Sequence, residues 1–403
     1  MEGRARVALV GGAIAEASIK NAVAQGITPV APQAAPWSQG SDRRRDFNLN
    51  EEAAARFRGA EISAGVTGPS EIFALLESAY GAEAGRTPVE HRAWLGTLMA
   101  PFTEVAASHP DLAWFPAKRS PHELSAVSPD NRLVAEPYTK RMNSFPIVDL
   151  TAAFFVTTDA HADTLGVAQD ARVYPWSTVH CTEVGPPSTR PALHRSVAIR
   201  TAIERALRDA AVGVDDIAHF DLYSCFPAAV QLSLAVLGLA PDDPRHLTLT
   251  GGLPYFGGPG ANYVTHGISC AVEACRRTPG SNALVVGLGG APSDFAAGVF
   301  SSARPATAWH YEECADVTPA LEAAKVPVNQ GREGNAVVDA MTIVHDRIDG
   351  PVRTALVASF EDGARVGAQS PDAELARALS DTSLVGHKVR IFVRDGQSYF
   401  DAG

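Results

Sequence analysis

The chain has 403 residues, 46% of them hydrophobic and 20% charged, and its formal net charge is −11. This length and composition predict a globular protein of two or three domains, and the acidic charge argues against a general nucleic-acid or anionic-membrane binder. The sequence shows no signal-peptide pattern, no apolar run long enough to span a membrane, and no Cys-x-x-Cys pair among its five cysteines. We therefore expect a cytoplasmic protein with no metal site and no nucleic-acid or membrane partner.

The N-terminal part of the chain predicts a strand and then an irregular segment. Residues 6–13 form an apolar run typical of a buried strand, with a helix following. Residues 26–50 are rich in Pro, Gln, Ser and Arg and predict an irregular excursion. Within it, Arg43, Arg44 and Arg45 would either meet nucleotide phosphates or simply be solvated.

Two helix starts follow, and each carries the same signals. Thr87 and Ser120 are typical N-caps, each followed by a proline in the first turn and by a glutamate three residues later, Glu90 and Glu123. Both helices belong to a predicted insertion of helices and loops that covers residues 50–140.

Beyond residue 142, runs with strand spacing and helix spacing alternate along the chain. The predicted elements are strand 171–181, helix 195–211, strand 217–223, helix 227–239, strand 246–250, helix 262–276, strand 282–287 and a closing strand at 295–302. This alternation predicts an α/β body with a mostly parallel, layered sheet, which we assign to residues 1–302. Residues 303–330, with scattered proline, alanine and charge, predict a linker.

The last part of the chain has a different pattern. Short β-rich runs at residues 337–346, 352–360, 364–368 and 388–393 are separated by Asp-Gly hairpin signals and a brief helix at 371–379. The pattern predicts a small β-barrel of OB type over residues 331–403. OB barrels often bind single-stranded nucleic acid, but this one has few aromatic residues and the chain is acidic, so we do not expect that function.

The glycine-rich stretch Gly251–Tyr263 joins the predicted strand 246–250 to the predicted helix 262–276. Glycine and proline make up more than half of it. Glycine lets the backbone approach a ligand closely, and a helix N-terminus after such a loop offers N–H groups to an anion or a developing oxyanion. The alternative interpretation is a tight turn before a core helix.

Three loops, in matching order and spacing, resemble loops of the thiolase superfamily. Asp-Leu-Tyr-Ser-Cys-Phe at residues 221–226 resembles the family's Asn-Glu-Ala-Phe or His-Asp-Cys-Phe loop. Gly-Gly-Leu followed by Gly-Gly-Pro-Gly at residues 251–260 resembles the loop in which Gly-His-Pro supplies a catalytic histidine, and Gly-Leu-Gly-Gly at residues 287–290 resembles the Cys-x-Gly loop. The resemblance covers about residues 5–302 and is closest to the sterol-carrier-type, thiolase-like branch often labelled acetyl-CoA acetyltransferase.

The resemblance also concerns the organisation of the chain. Residues 147–156 are similar to the family's Asp-Gly-Ala-Ala-Ala strand, and residues 331–403 resemble the OB domain that accompanies acyl-CoA-handling thiolase-like proteins. In the family, a strand like residues 6–13 follows the helix that carries the nucleophilic cysteine. The resemblance therefore implies that the first half of the fold is incomplete and lacks the nucleophile, through truncation or completion by a partner chain. The insertion at residues 50–140 would shape the acyl and CoA pocket.

Carried over by position, the resemblance predicts that this chain alone does not catalyse thiolysis. Gly258 stands where the family has its histidine, Gly287 where it has its second cysteine, and Tyr223 in the Asn-or-His place. Thiolysis needs a cysteine to take the acyl group, a histidine to activate it and a second cysteine to move the α-proton. Glycine can do none of these.

The candidate site is therefore a different polar set. We predict catalytic roles for Tyr223, Cys225, Tyr255 and His266, with Tyr263 beside the same loops, because a tyrosine can donate to an oxyanion or pass a proton. Each has a structural alternative: the tyrosines can pack with their hydroxyls bonded, the cysteine can be a small buried hydrophobe, and the histidine can face the core. Substrate binding is assigned to four glycines: Gly257, Gly258, Gly287 and Gly289.

Three functions remain open at this point. The first is an acyl-CoA C-acyltransferase with degenerate thiolytic residues. The second is retro-aldol cleavage of a β-hydroxyacyl-CoA, which related thiolase-like proteins paired with an OB domain perform and which needs no cysteine nucleophile. The third is a non-catalytic acyl-CoA-binding or scaffold subunit. In each, CoA or acyl-CoA is substrate or ligand, no cofactor is bound covalently, and a homo-oligomer or a partner chain is expected.

Overall fold

The computed structural model describes residues 6–27, 59–66, 68–290 and 292–402. The arginine run at residues 43–45 and most of the predicted excursion lie outside the described residues. The described part forms a mixed α/β body and a closed five-stranded barrel at its C-terminal end. The predicted fold class is therefore confirmed.

A five-stranded sheet in the order β6-β7-β8-β5-β9 is the centre of the body. Its strands are β5 (Tyr174–Thr182), β6 (Ile217–Asp221), β7 (Asn282–Gly289), β8 (Asp294–Ser301) and β9 (His310–Glu313). The pairs β6–β7 and β5–β9 are parallel, whereas β7–β8 and β8–β5 are antiparallel. The sheet is thus mixed rather than mostly parallel, because β7 and β8 are joined by a short turn instead of a crossover helix.

Helices α7 (Val197–Asp209) and α9 (Tyr263–Arg277) cover this sheet, and helix α8 (Pro227–Leu237) packs against α7. Helix α7 buries Ala198, Ile199, Ala202, Ile203 and Ala206, whose spacing places them on one face of the helix. That face packs against β5 and β8, and α9 packs against β6 and β7. The predicted helices at 195–211, 227–239 and 262–276 are all confirmed.

A two-stranded ribbon precedes the main sheet. Strands β1 (Val7–Ala15) and β4 (Asp149–Thr157) pair antiparallel along nine residues, and helices α1 (Glu16–Ala24) and α6 (Asp159–Thr164) follow them. The strand predicted at residues 6–13 is therefore present. Its predicted burial is wrong, because no third strand of the described chain pairs with the ribbon, and Leu9 and Phe155 are 65% and 75% exposed.

The insertion contains helices α2 (Ala60–Ser63), α3 (Pro69–Glu83), α4 (Pro88–Ala107) and α5 (Pro121–Ser125), and the short strands β2 (Leu133–Ala135) and β3 (Tyr138–Thr139). Helices α4 and α5 both begin with the predicted capping box. Each cap hydroxyl accepts from the backbone N–H of the glutamate three residues on, and that glutamate accepts from the N–H of the cap.

Replacing Thr87 with alanine is expected to lower the free energy of unfolding by about 1 kcal/mol, because the first turn of α4 loses its side-chain acceptor. Thr87→Ser keeps the hydroxyl and should retain nearly all of the stability. Chemical denaturation followed by circular dichroism measures both. Equal losses in the two variants would show that the hydroxyl does not cap the helix.

The barrel contains β10 (Gly334–Asp346), β11 (Gly350–Ser359), β12 (Arg365–Ser370), β13 (Lys388–Arg394) and β14 (Gln397–Asp401), with helix α11 (Ala373–Leu379) between β12 and β13. The parallel β12–β14 pair and the β10–β11 and β10–β13 pairs close it. The three predicted Asp-Gly turns lie between β10 and β11, between β11 and β12, and between β13 and β14. At the last, Asp395 and Gly396 both have positive φ, as a tight hairpin turn requires.

The barrel and the body are connected by strand pairing and hydrogen bonds that the sequence does not predict. Strand β2 of the insertion pairs with β10. The segment 303–330, predicted as a linker, contains β9, which extends the main sheet, and helix α10 (Thr318–Ala323). The guanidinium of Arg365 in β12 donates to the carbonyls of Ser188, Arg190 and Pro191 in the body.

Candidate active site

The predicted site residues are brought together by the carboxyl ends of two neighbouring strands. Tyr223 and Cys225 follow β6, and Gly287 and Gly289 lie at the end of β7, which pairs with β6 in parallel. The carboxyl edge of such strands is where α/β proteins commonly bind ligands. Helix α9 adds His266 at the same region of the body.

Asp221 at the end of β6 organises the polar groups behind this edge. It is 1% exposed, and its Oδ2 accepts from the backbone N–H groups of Leu249 (2.9 Å) and Thr250 (3.0 Å) and from the hydroxyls of Thr248 and Thr250 (both 3.2 Å). Burial raises the pKa of Asp221, and these hydrogen bonds oppose that shift. Because the backbone donors turn towards this carboxylate, the strand predicted at residues 246–250 does not form.

Tyr223 and Tyr263 form the aromatic centre of the site. Their rings meet edge to face with centroids 5.5 Å apart, and the Tyr263 hydroxyl lies 2.6 Å from the Thr250 hydroxyl. The Tyr223 hydroxyl makes no hydrogen bond within the described chain, and burial raises the pKa of this phenol. Tyr223 is therefore a protonated, neutral donor at physiological pH.

Cys225 is a buried thiol beside the start of α8. Burial raises its pKa well above the usual range, so the thiolate, which is the nucleophilic form, is strongly disfavoured. Its carbonyl accepts from the backbone N–H of Ser144 in the chain that leads to β4.

His266 lies one turn after Tyr263 on α9. Its ring meets Phe256 edge to face at 5.2 Å, and its Nε2 has no hydrogen-bond partner among the described residues. Burial lowers the pKa of His266 to about 4. The imidazole is therefore neutral at pH 7, with one ring nitrogen available as a donor or an acceptor, depending on the tautomer.

The lowered pKa of His266 gives a pH dependence with a definite sign. The unfolded imidazole gains its proton near pH 6.5 and the folded one only near pH 4. The unfolded state therefore binds more protons between these values, and stability is lost as the pH falls through this window, by about 2 kcal/mol. Denaturation midpoints at pH 7 and 4.5 measure the loss, which His266→Gln should reduce. His122→Gln, at an exposed position, is the matched control, and an undiminished loss in His266→Gln would contradict the assignment.

Tyr255 lies on the glycine-rich loop, next to Phe256, whose ring contacts His266. Its ring is buried, its hydroxyl has no partner within the described chain, and the charged residues that influence its pKa are Arg119 and Arg141 of the insertion region. Burial raises the pKa of Tyr255. No hydrogen bond or ring contact of the described residues joins it to Tyr223 or His266.

The glycine-rich loop is packed tightly where the resemblance places the family's histidine. A Cβ on Gly258 would collide with the Ser144 hydroxyl, and one on Gly257 would lie 2.9 Å from Leu150 Cδ1. The Gly258 N–H donates to the Phe145 carbonyl at 2.9 Å. The N–H groups of residues 260 and 262 are also bonded within the loop, so these three loop donors are not free for a ligand.

The glycines at the end of β7 have slightly more room. A Cβ on Gly287 would lie 3.2 Å from Val264 Cγ2, and one on Gly289 would lie 3.5 Å from Asp294 Cβ.

Sequence reasoning missed the roles of Asp221, Ser144 and Thr250. Asp221 is within the quoted motif, but nothing local identifies its partners some 28 residues away.

No helix of the described residues has the length and apolar character needed to cross a bilayer. Asp209, His310 and Glu312 place possible ligand atoms within 4.8 Å of one another, but Glu312 already pairs with Arg205 and Arg208. Two cavities of about 380 and 350 Å³ lie elsewhere in the body, and no predicted site residue lines either.

The fold and the loops at the carboxyl edge define a thiolase-type α/β protein. A solved structure of a monomeric SCP2-thiolase-like protein type 1 from Mycobacterium smegmatis is 33% identical, with a TM-score of 0.79 over 85% of this chain and 75% of that chain. The chain therefore belongs to the SCP2-thiolase-like family of the thiolase superfamily.

A more distant similarity is to the dimeric peroxisomal thiolase of Saccharomyces cerevisiae, with 13% identity and a TM-score of 0.47 over 74% of this chain and 70% of that chain. No family model and no curated protein matches the sequence.

Proposed function

We propose that this protein binds a CoA thioester at the carboxyl edge of β6 and β7 and acts on it without thiolysis. The observation that carries the proposal is the Tyr223 hydroxyl, which is protonated and unbonded within the described chain, on the loop that joins β6 to α8. A neutral phenol placed in this way can donate to a thioester oxygen and stabilise the enolate that forms there.

The packing of the site supports the absence of thiolysis. The nucleophile of an acyl transfer must be a thiolate or an activated hydroxyl, and burial holds Cys225 in its thiol form. Gly258 is packed against Ser144, so a side chain at position 258 would collide with the Ser144 hydroxyl.

The chemistry that these groups favour is retro-aldol cleavage of a β-hydroxyacyl-CoA. The neutral His266 imidazole would take the proton of the β-hydroxyl, and the Cα–Cβ bond would break to release an aldehyde or ketone. The electron pair would pass to the thioester enolate, held by Tyr223, and the imidazolium would return the proton to Cα. The products are a shorter acyl-CoA and a carbonyl compound, so atoms and electrons balance without a cofactor.

The proximity of the two groups rests on helix α9. Tyr263 and His266 are three residues apart and so lie on the same helix face, and Tyr263 contacts the Tyr223 ring. Binding without turnover is the second candidate, and the observation that favours it is that Tyr223, Cys225 and His266 are all neutral at pH 7.

The first test is binding. Isothermal titration with CoA, acetyl-CoA and a longer β-hydroxyacyl-CoA, on protein shown to be folded by circular dichroism, is expected to give a saturable heat. Tyr223→Phe should weaken thioester binding more than CoA binding, since only the thioester offers a carbonyl. Absence of heat with every CoA compound would overturn the proposal.

A further inference from the structure

Two adjoining cavities lie where β5 ends, between helices α3, α7 and α8. The larger, of about 380 Å³, is lined by the segment 183–192 after β5 and by α7 and α8, and the smaller, of about 350 Å³, by α3 and α8. Both include Tyr80, Arg195 and Ala235 in their walls. Volumes of this size suit small organic ligands.

Arg190 lines the larger cavity and is only 5% exposed. Its Nη2 donates to the Pro292 carbonyl, but its Nε and Nη1 have no partner among the described residues. Tyr80, which is 7% exposed, also lines this cavity, and its buried hydroxyl lacks a partner within the described chain. A buried guanidinium remains charged and is costly when its donors are unpaired.

The nearby carboxylates do not supply the missing bonds. Glu183 accepts from the Ser196 hydroxyl and the Ala198 N–H, and Glu61 accepts from the N–H and hydroxyl of Ser188. Both lie in the field of Arg190, but neither forms an ion pair with it in the described structure.

The other cations of the wall have partners. Arg195 pairs with Glu83, Arg200 with Glu204 at 3.3 Å, and Lys325 with Glu322 at 2.7 Å. Among the described residues, Arg190 is therefore the cation of this wall that is buried and has no acidic partner. The remaining wall is largely apolar, with Val184, Val197, Leu232, Val236 and Leu321.

We propose that this cavity is a second binding site, which takes an organic anion whose carboxylate or phosphate head is held by Arg190 and Tyr80. The planar fork of a guanidinium matches either head group through parallel N–H donors, and the apolar wall accommodates a short hydrocarbon body. The site shares no residue with the thioester site proposed above, and its existence does not depend on that function.

Isothermal titration of the whole chain uses four probes: hexanoate, hexyl phosphate, hexanol and CoA. We expect hexanoate or hexyl phosphate to bind and the uncharged hexanol to bind at least tenfold more weakly. If CoA competes with hexyl phosphate, the anionic head group bound in this cavity is a phosphate of CoA. If CoA does not compete, the ligand is a free organic anion. Tyr223→Phe should leave anion binding unchanged, which separates this site from the proposed function.

Arg190→Gln should weaken anion binding at least tenfold, whereas the matched control Arg200→Gln should change it less than twofold. Because Arg190 also supports neighbouring segments, Ala235→Trp provides a second test: this exposed position lies in the walls of both cavities, and the indole should block entry without altering the guanidinium. No anion binding, equal binding of hexanol, or unchanged affinity in folded Arg190→Gln and Ala235→Trp would each overturn the proposal.

Discussion

Replacing Tyr223 with phenylalanine is expected to reduce the rate of β-hydroxyacyl-CoA cleavage by about 10²–10⁴-fold, the range associated with a positioned proton donor or oxyanion donor. The substitution removes one oxygen and keeps the ring that packs against Tyr263. Fold and stability should therefore change little. The measurement is the release of the carbonyl product and of the shorter acyl-CoA, followed side by side with thiolysis of acetoacetyl-CoA.

Tyr255→Phe is the matched control for this experiment. It removes the same atom from a buried tyrosine whose charged neighbours are Arg119 and Arg141, and it should leave cleavage within a fewfold of the starting rate. Thiolysis should be undetectable in all of these proteins. Robust thiolysis that disappears in Cys225→Ala alone would show that the site works by sulfur chemistry. A loss of cleavage in Tyr255→Phe but not in Tyr223→Phe would show that Tyr255, and not Tyr223, is the donor.

Replacing Asp221 with alanine is expected to lower the free energy of unfolding by about 3–5 kcal/mol, because the backbone donors of Leu249 and Thr250 and two threonine hydroxyls lose a shared buried acceptor. The loop that carries the glycine-rich stretch should loosen as well. Hydrogen exchange at the two backbone amides, together with chemical denaturation, measures both effects.

Two further substitutions make this prediction specific. Asp221→Asn keeps one carbonyl oxygen and should lose less stability than the alanine variant. Asp170→Ala, at an exposed position on the body, should stay within about 0.5 kcal/mol of the parent protein. If Asp221→Ala and Asp170→Ala were equally stable, the carboxylate would not be organising the residues 248–250.

The sequence predicted the parts of this protein whose causes are local. The capping boxes at Thr87 and Ser120 need only four consecutive residues, and the hairpin at Asp395 needs two that tolerate positive φ. The helices over the main sheet follow from apolar spacing, and the alternation of elements gave the α/β body and the C-terminal barrel. The three loop motifs led to the thiolase superfamily, which the comparison with the solved structure confirms.

Only the tertiary structure decided which groups are buried and what they bond. Residues 247–250 have strand-forming composition, yet they bend to a carboxylate that lies 27–29 residues earlier in the chain. Residues 6–13 have a core-like composition, yet the described fold leaves much of the ribbon exposed. Burial and hydrogen-bond partners depend on segments that are distant in sequence, so no local sequence pattern predicts them.

The same reason explains the functional residues. Ser144 fills the space beside Gly258 from more than one hundred residues away, and Arg190 has open donors only because the fold places Glu61 and Glu183 against serines instead. The pKa values of Tyr223 and His266 shift because they are buried, which their own sequence neighbours do not determine. The sequence by itself therefore determined the family and the candidate loops, and the packing of distant segments determined their chemistry.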